Sequence, residues 1–205
     1  MTPKIDYYFT ATSPWSYFGH DRFMELASQH GAVLGWRPVN LGGVFAATGG
    51  LPLPKRAPAR QRYRMVELKR WREVLSIPLN LQPAHFPTDP DLANRCVVAL
   101  DQSGEDPSDF LARTYRAVWV FDRDIADEHT VEALLADAGH DARAIIAKAR
   151  AEETGELYER YSAEAIERGV FGAPTYALNG EPFWGQDRLG LLEDALRSGR
   201  APYLP

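Results

Sequence analysis

A strand that runs into a Ser-Pro helix start constrains the fold of this chain more than any other stretch. Residues 5–9, Ile-Asp-Tyr-Tyr-Phe, have the β-branched and aromatic content of a strand, and a helical pattern follows Ser13 and Pro14. Proline suits the first helical position, because its φ is already helical and its missing N–H is not needed there. The sequence therefore predicts that Ser13 caps the first helix, shortly after the first strand.

The predicted position of Ser13 supports two interpretations. A hydroxyl beside unpaired backbone amides, at the positive end of a helix, suits an anion such as a thiolate better than a neutral group. The simpler interpretation is that Ser13 caps the helix and does nothing else, and this stretch alone favours that role.

The rest of the pattern predicts an α/β protein. An apolar run at residues 32–36 predicts a second, parallel strand after the first helix. Residues 39–58 are rich in Gly and Pro and predict a loop, and loops of that length are often functional. Helical periodicity then continues from residue 60 to about residue 168, with Asp127 and Thr154 as predicted caps of two of its helices.

The C-terminal part returns to strands. Residues 175–178 and 181–183 flank Asn179-Gly180, which predicts a hairpin, and Pro182 places its second strand at a sheet edge. A final helix follows. Residues 1–58 and 169–205 are thus predicted to share one sheet, with residues 59–168 inserted as an all-helical subdomain.

Composition and charge exclude several classes of function. With 45% hydrophobic residues the chain is predicted to be globular, and its net charge of −5 argues against a nucleic-acid or anionic-membrane partner. It has no secretory leader pattern and no apolar run that could span a bilayer, so we expect a soluble, cytoplasmic protein. Cys96 is the only cysteine, which excludes dithiol redox chemistry. Scattered histidines and a lone cysteine predict no metal site.

Four segments resemble the 2-hydroxychromene-2-carboxylate isomerases and the kappa-class glutathione transferases. They are residues 8–17 around Ser13-Pro14, residues 37–45, residues 171–175 (Phe-Gly-Ala-Pro-Thr) and residues 183–188 (Phe-Trp-Gly-Gln-Asp-Arg), in the order found in those families. The resemblance implies an α/β, thioredoxin-like fold related to the disulfide oxidoreductase DsbA. Ser13 then stands where the redox relatives carry the first cysteine of their CxxC motif.

Glutathione as cofactor and a homodimer are further implications of the resemblance. Ser13 would donate a hydrogen bond to the glutathione sulfur and lower the pKa of that thiol, together with the helix N-terminus. A cis peptide bond before Pro174 would expose the main chain of Ala173 to the cysteinyl part, although an ordinary proline at this place would be trans. The residues implied in binding the rest of glutathione are Trp184, Gly185, Gln186 and Asp187, with Asp187 facing the ammonium group.

The resemblance implies a small aromatic carboxylate as the second substrate. The family often has an asparagine after its second strand where this chain has Gly50, followed by Leu51. A buried carboxylate needs a charged or donor-rich partner, and the candidates are Arg60, His85 and Arg95. The flat apolar walls that an aromatic ligand requires are expected from Trp15, Phe45 and Trp119. Solvated positions for the arginines and core packing for Trp119 are the simpler alternatives.

The leading functional prediction is a glutathione-dependent isomerase, which converts a chromene carboxylate into a trans-benzylidenepyruvate. A kappa-like transferase, which would leave glutathione bonded to an electrophile, and a catalytically silent thioredoxin-like binding module are the alternatives. A serine hydrolase is not supported, because a nucleophilic serine needs a base and none of the five histidines lies in a motif such as GxSxG.

Overall fold

Two pairs of strands, one from each end of the chain, form the sheet in a computed structural model that describes residues 2–204. The strands are β1 (Lys4–Phe9), β2 (Val33–Pro38), β3 (Thr175–Leu178) and β4 (Glu181–Trp184). Their spatial order is β2-β1-β3-β4, with β1 parallel to β2 and antiparallel to β3, and β3 antiparallel to β4. The predicted single sheet, shared by both ends of the chain, is confirmed.

Most of the helices lie in the long segment between β2 and β3. One helix connects β1 to β2, and another follows β4. In chain order they are α1 (Pro14–Gln29), α2 (Leu41–Thr48), α3 (Pro58–Leu75), α4 (Asp91–Gln102), α5 (Ser108–Trp119), α6 (Glu128–Asp137), α7 (Ala142–Ala149), α8 (Glu152–Glu167) and α9 (Leu189–Ser198). Two single 3-10 turns lie at Leu53–Lys55 and Gln186–Arg188.

The start of α1 is as predicted. Ser13 has extended backbone angles, its Oγ accepts a hydrogen bond from the Ser16 N–H at 3.1 Å, and Pro14 occupies the first helical position. Phe23 of the helix packs on the buried Tyr7 of the central strand β1, and the Tyr7 ring stacks on the Tyr176 ring of β3 with centroids 5.3 Å apart. The capped helix is therefore anchored on buried residues of the sheet.

The predicted loop at residues 39–58 is wrong over Leu41–Thr48, which form α2. The Asn40 side chain caps this helix by accepting from the Gly43 N–H at 3.2 Å, and Gly49 ends it with a φ of 80°. Asn is among the best N-cap residues and Gly suits the left-handed position after a helix. The glycines that suggested a loop lie within the first turn and at the end of the helix.

The two predicted helix caps differ in outcome. Asp127 is confirmed, since its carboxylate accepts from the N–H groups of His129 and Thr130. Thr154 is not a cap, because α8 begins at Glu152 and Thr154 is already helical. Its buried hydroxyl donates instead to the side chain of Gln102 at 3.2 Å.

The C-terminal hairpin is also confirmed. Asn179 and Gly180 connect β3 to β4 with φ angles of 52° and 88°, as a tight hairpin turn requires. Pro182 lies in β4, which is an edge strand and therefore needs no second ladder of hydrogen bonds.

The inserted helices share a core with the sheet. One buried cluster contains Phe9 of β1, Phe18 of α1, Leu100 of α4 and Phe110 of α5, and both α4 and α8 also contact β2. The proposed division at residues 58 and 169 stays a prediction, as do the homodimer and the cytoplasmic location. Within residues 2–204, no helix combines the length and the apolar character needed to cross a bilayer.

His20 of α1 is the buried titratable group with a clear consequence for stability. It is 2% exposed, and its Nε2 lies 3.0 Å from the Ser108 carbonyl oxygen, so Nε2 carries the proton. Nδ1 is buried without a partner. Burial lowers the pKa of His20, and this outweighs the opposing effects of the Ser108 carbonyl and of nearby carboxylates.

We expect His20 to make the protein less stable as the pH falls. Below its unfolded pKa of 6.5 the unfolded chain binds a proton that the native state does not, so the free energy of unfolding decreases with decreasing pH. Between about pH 7.5 and 5.5 the wild type should lose about 1 kcal/mol more than His20→Gln, which cannot titrate. Urea unfolding at both pH values measures the difference, and parallel losses in the two proteins would contradict it.

Candidate functional site

A large cleft opens beside the N-terminus of α1, between the sheet and α3. Its volume is about 1120 Å³. Its walls come from residues 10–15, 40–45, 52–71, 86–91, 172–173 and 184–188, together with Tyr158. The cleft therefore brings together segments from both ends of the chain and from the inserted helices.

Ser13 lies in the wall of this cleft and joins two of its segments. Its side chain is largely buried, and its Oγ donates to the Ala173 carbonyl oxygen at 3.3 Å while it accepts from the Ser16 N–H. The Ser13 N–H itself donates to the Thr10 carbonyl oxygen at 3.0 Å. The hydroxyl is thus held at the helix N-terminus, next to the loop that carries Ala173.

The loop before β3 has the cis peptide bond that the resemblance implies, between Ala173 and Pro174. Pro174 directs its carbonyl oxygen to the Gly185 N–H at 2.8 Å, and the Thr175 hydroxyl donates to the Gly172 carbonyl oxygen at 2.8 Å. These bonds fix the loop and place the Ala173 main chain in the cleft wall.

The turn after β4 supplies a polar end of the cleft. Gly185 has a φ of 105°, a conformation that L side chains rarely adopt, and it positions the following 3-10 turn. Gln186 is buried, and its Oε1 accepts from Arg22 at 3.0 Å. Asp187 is more exposed and pairs with Arg188 at 2.9 Å. Asp187 does not cap the final helix, because α9 begins only at Leu189.

Aromatic side chains form the apolar part of the cleft. Trp184 is half-exposed at the rim and packs edge-to-face on Phe171 with centroids 4.7 Å apart. Trp15, Phe45, Tyr63, Trp71 and Phe86 also line the cleft, which agrees with the expected walls at Trp15 and Phe45.

The Phe45 side chain leaves no room for a Cβ atom at position 50, which is a glycine. A Cβ atom at position 50 would lie 2.9 Å from Cγ of the Phe45 ring, closer than carbon atoms pack. Because Phe45 lines the cleft, an asparagine at position 50 would displace an aromatic wall. Gly50 and its neighbour Leu51 do not themselves line the cleft.

Three other candidate substrate residues lie outside the cleft. Trp119 has no exposed surface and packs on Phe86 from the core, with centroids 4.8 Å apart, so a ligand does not reach it. The exposed His85 ring lies 3.9 Å from Asp124, and Arg95 pairs with Asp91 at 2.9 Å. Core packing accounts for the position of Trp119, and contacts with acidic side chains account for those of His85 and Arg95. Of Arg60, His85 and Arg95, the candidates for binding the carboxylate, Arg60 lies in the cleft wall.

Sequence reasoning missed two more arginines. Arg56 and Arg64 line the cleft with Arg60. The spacing of four between Arg60 and Arg64 puts both on one face of α3, and this pattern was available once the helix start at Pro58 was known.

Asn94 of α4 was also missed, and it holds the segment before Ser13 in place. Its side chain is fully buried, accepts from the Ala11 N–H at 2.9 Å, and donates to Thr10 Oγ1 at 3.3 Å and to the Tyr158 hydroxyl at 3.0 Å. A buried asparagine of α4 with partners in the segment after β1 and in α8 fixes the relative positions of all three. The sequence indicates this role of Asn94 only by placing a polar residue on the otherwise apolar face of α4.

The chemistry of the cleft does not fit a hydrolase, a thiol enzyme or a metal enzyme. No histidine from the described part of the chain lines it, so Ser13 has no general base there. Burial raises the pKa of the Cys96 thiol to about 12, which keeps it protonated and inert. Residues 2–204 contain no group of three side chains that could hold a metal ion.

Comparison with known proteins identifies the family. The model of the DSBA-like thioredoxin domain matches residues 4–197. A 2-hydroxychromene-2-carboxylate isomerase from Sphingobium xenophagum is 30% identical over 198 residues, which cover 96% of this chain and 99% of that protein. Glutathione S-transferase kappa 1 from Caenorhabditis elegans is 27% identical over 210 residues, covering 95% of this chain and 91% of the other.

A solved structure supports the same relation. The structure of a 2-hydroxychromene-2-carboxylate isomerase superposes with a TM-score of 0.76 at 29% identity and covers 95% of both chains. The predicted thioredoxin-like fold of the DsbA type, with a helical segment inserted in the chain between its strands, is thereby confirmed.

Asn94→Ala should destabilise the protein by about 2–4 kcal/mol, because it leaves the Ala11 N–H buried without a partner. Tyr158→Phe removes one bond of the same network and should cost only about 1 kcal/mol. Urea denaturation followed by circular dichroism measures both. Equal stability of Asn94→Ala and the wild type would show that the network does not hold the segment before Ser13.

Proposed function

The chain belongs to the DSBA-like thioredoxin family and, within it, to the 2-hydroxychromene-2-carboxylate isomerases, and we propose that it isomerises a chromene-carboxylate-like aromatic acid with the help of glutathione. Membership of this family makes it an enzyme, as predicted. The observation that carries the proposal is the position of the Ser13 hydroxyl, at the N-terminus of α1 and in the wall of the cleft.

The environment of Ser13 fits a thiolate. Its hydroxyl has one proton, which it gives to the Ala173 carbonyl oxygen at 3.3 Å, a long distance for an O–H···O bond. Because that bond is weak, a sulfur anion in the cleft competes well for the proton. The positive end of the α1 helix dipole adds positive potential at the same place.

The two loops beside Ser13 fit the peptide part of glutathione. The Ala173 main chain offers extended backbone for strand-like pairing with the cysteinyl residue. The Gln186 Oε1 is engaged by Arg22, which leaves the Nε2 donors to face a carboxylate. Asp187 at the rim supplies the negative charge that an ammonium group requires. The kappa transferase among the relatives supports glutathione as the ligand.

When bound, glutathione supplies a nucleophilic sulfur that adds reversibly to the conjugated ring, so that the ring opens and a former ring bond can rotate. Ser13 and the dipole of α1 keep that sulfur ionised, and this role requires no histidine base. The aromatic walls at Trp15, Phe45 and Phe86 hold the flat substrate beside it and exclude water.

Ser13→Ala should lower kcat/KM for 2-hydroxychromene-2-carboxylate by about 100-fold, since it removes a donor aimed at developing charge. It should also raise the pKa of the bound glutathione thiol, which the absorbance of the thiolate reports. Ser16→Ala is the matched control, because Ser16 is a buried serine of the same helix that does not line the cleft.

Two outcomes of this assay would count against the proposal. Equal turnover with and without glutathione would show that glutathione is not the cofactor. An unchanged rate in Ser13→Ala would show that Ser13 acts only as a helix cap. Accumulation of a stable glutathione conjugate, instead of its release, would favour the transferase activity. A protein that shows neither turnover nor glutathione binding by calorimetry would be a binding module for another ligand.

Asp187→Asn should weaken glutathione binding by about tenfold, because it removes the charge that faces the ammonium group. Its effect should be small for a glutathione analogue that lacks the amino group. Asp194→Asn serves as the control, since Asp194 is an exposed acid of α9 paired with Arg197. Isothermal titration measures the affinities, and an equal loss for both ligands would place the ammonium group elsewhere.

A further inference from the structure

Arg64 lies half-buried in the cleft wall, next to an aromatic ring and without a salt bridge to an acidic side chain of the described residues. Its guanidinium carbon lies 5.6 Å from the centroid of the Phe86 ring, in a cation–π arrangement. Within residues 2–204 it forms no salt bridge and no hydrogen bond. A buried cation without a counter-ion is costly, so its surroundings fit a partner that comes from outside the chain.

Two more arginines increase the positive charge of this wall. Arg56 and Arg60 also line the cleft, and neither forms a salt bridge in the described part of the chain. Burial and, to a lesser extent, the positive charge of Arg56 lower the pKa of Arg64 to about 10. Burial and then the charge of Arg60 lower the pKa of Arg56. The three cations are thus close enough to repel one another.

The acidic residues that line the cleft do not neutralise this wall. Glu67 pairs with Arg70, Asp91 pairs with Arg95, and Asp187 pairs with Arg188. Asp89 accepts a hydrogen bond from the Asp91 N–H. Asp89 accepts only from a neutral N–H and keeps its charge, but none of the four acids forms a salt bridge with Arg56, Arg60 or Arg64.

Of the three arginines, Arg64 is the one best placed to bind a ligand directly. Arg56 uses its Nε to donate to the Leu51 carbonyl oxygen at 2.7 Å. Arg60 is exposed, so water screens its charge. Arg64 is half-buried and keeps all its donors free, and a planar guanidinium presents two parallel N–H groups to a carboxylate.

We propose that Arg64 determines the substrate specificity of the cleft by binding the carboxylate of a planar aromatic acid. The inference rests on the function proposed above for the second substrate, but it assigns the recognition to Arg64 and not to the expected candidates Arg60, His85 and Arg95. Arg56 and Arg60 raise the local potential and attract the acid into the cleft.

Aromatic rings next to the arginines account for the preference for a planar acid. Arg64 lies over Phe86, and the Arg56 guanidinium carbon lies 5.7 Å from the centroid of the Phe45 ring. Both rings line the cleft. A flat aromatic ligand can pack on these rings while its carboxylate reaches Arg64, whereas an aliphatic acid would lose the ring contacts.

Titration with 2-naphthoate and with its neutral analogue 2-naphthamide tests the inference without turnover. Arg64→Gln should weaken the binding of 2-naphthoate by about 10- to 100-fold and leave 2-naphthamide almost unchanged. Arg64→Lys should recover part of the lost affinity, because it restores the charge but not the pair of parallel donors. The fluorescence of the cleft residues Trp15 and Trp71 reports binding.

Arg62→Gln is the matched control, because Arg62 is an exposed arginine of the same helix that does not line the cleft. It should change the affinity for neither ligand. The inference is overturned if the wild type does not prefer 2-naphthoate to 2-naphthamide, or if Arg64→Gln weakens both equally, which is the result of lost packing on Phe86.

The binding assay tests the carboxylate site and the glutathione assay tests the cofactor, so one proposal can be overturned while the other stands. If turnover does not depend on glutathione but Arg64→Gln still loses affinity for 2-naphthoate, the acid site stands and the proposed cofactor does not. If Ser13→Ala behaves as expected but Arg64→Gln binds 2-naphthoate like the wild type, the proposed function stands and the carboxylate lies elsewhere.

Discussion

One hydrogen-bonded serine connects the two parts of the chain that form the site. The Ser13 hydroxyl caps α1 and donates to Ala173, which lies 160 residues away in sequence. The connection is short because β1, which leads to Ser13, is paired with β3, which follows Ala173. A residue that caps a helix and touches the opposite loop is fixed in position, and this fixation is what a group that must meet a sulfur atom needs.

The inserted helices belong to the site as much as the sheet does. Asn94 of α4 holds the main chain of Ala11, and α3 supplies Arg60 and Arg64 of the cleft wall. The sheet therefore orients Ser13, while the insertion sets the width and the charge of the cleft. In the proposed function, changes in α3 would alter the second substrate without disturbing Ser13.

Local patterns predicted the parts of the structure that depend on neighbours in sequence. The Ser13-Pro14 helix start and the Asn179-Gly180 hairpin follow from the backbone preferences of those residues alone. Trp119 could not be assigned in this way, because an aromatic residue on an amphipathic helix faces the core or a ligand depending on distant packing. The expected loop at residues 39–58 failed for a different reason, since the cap at Asn40 was overlooked among the glycines.

Two anions must share this cleft in the proposed reaction, although the chain as a whole carries a net charge of −5. A thiolate and a carboxylate repel each other, and the repulsion grows in a cleft from which water is excluded. In the proposed arrangement the helix dipole and the Ser13 hydroxyl act on one anion, and Arg64 of α3 acts on the other. Separate sources of positive potential keep the sulfur nucleophilic, because an arginine beside Ser13 would bind the thiolate tightly and reduce its reactivity toward the ring.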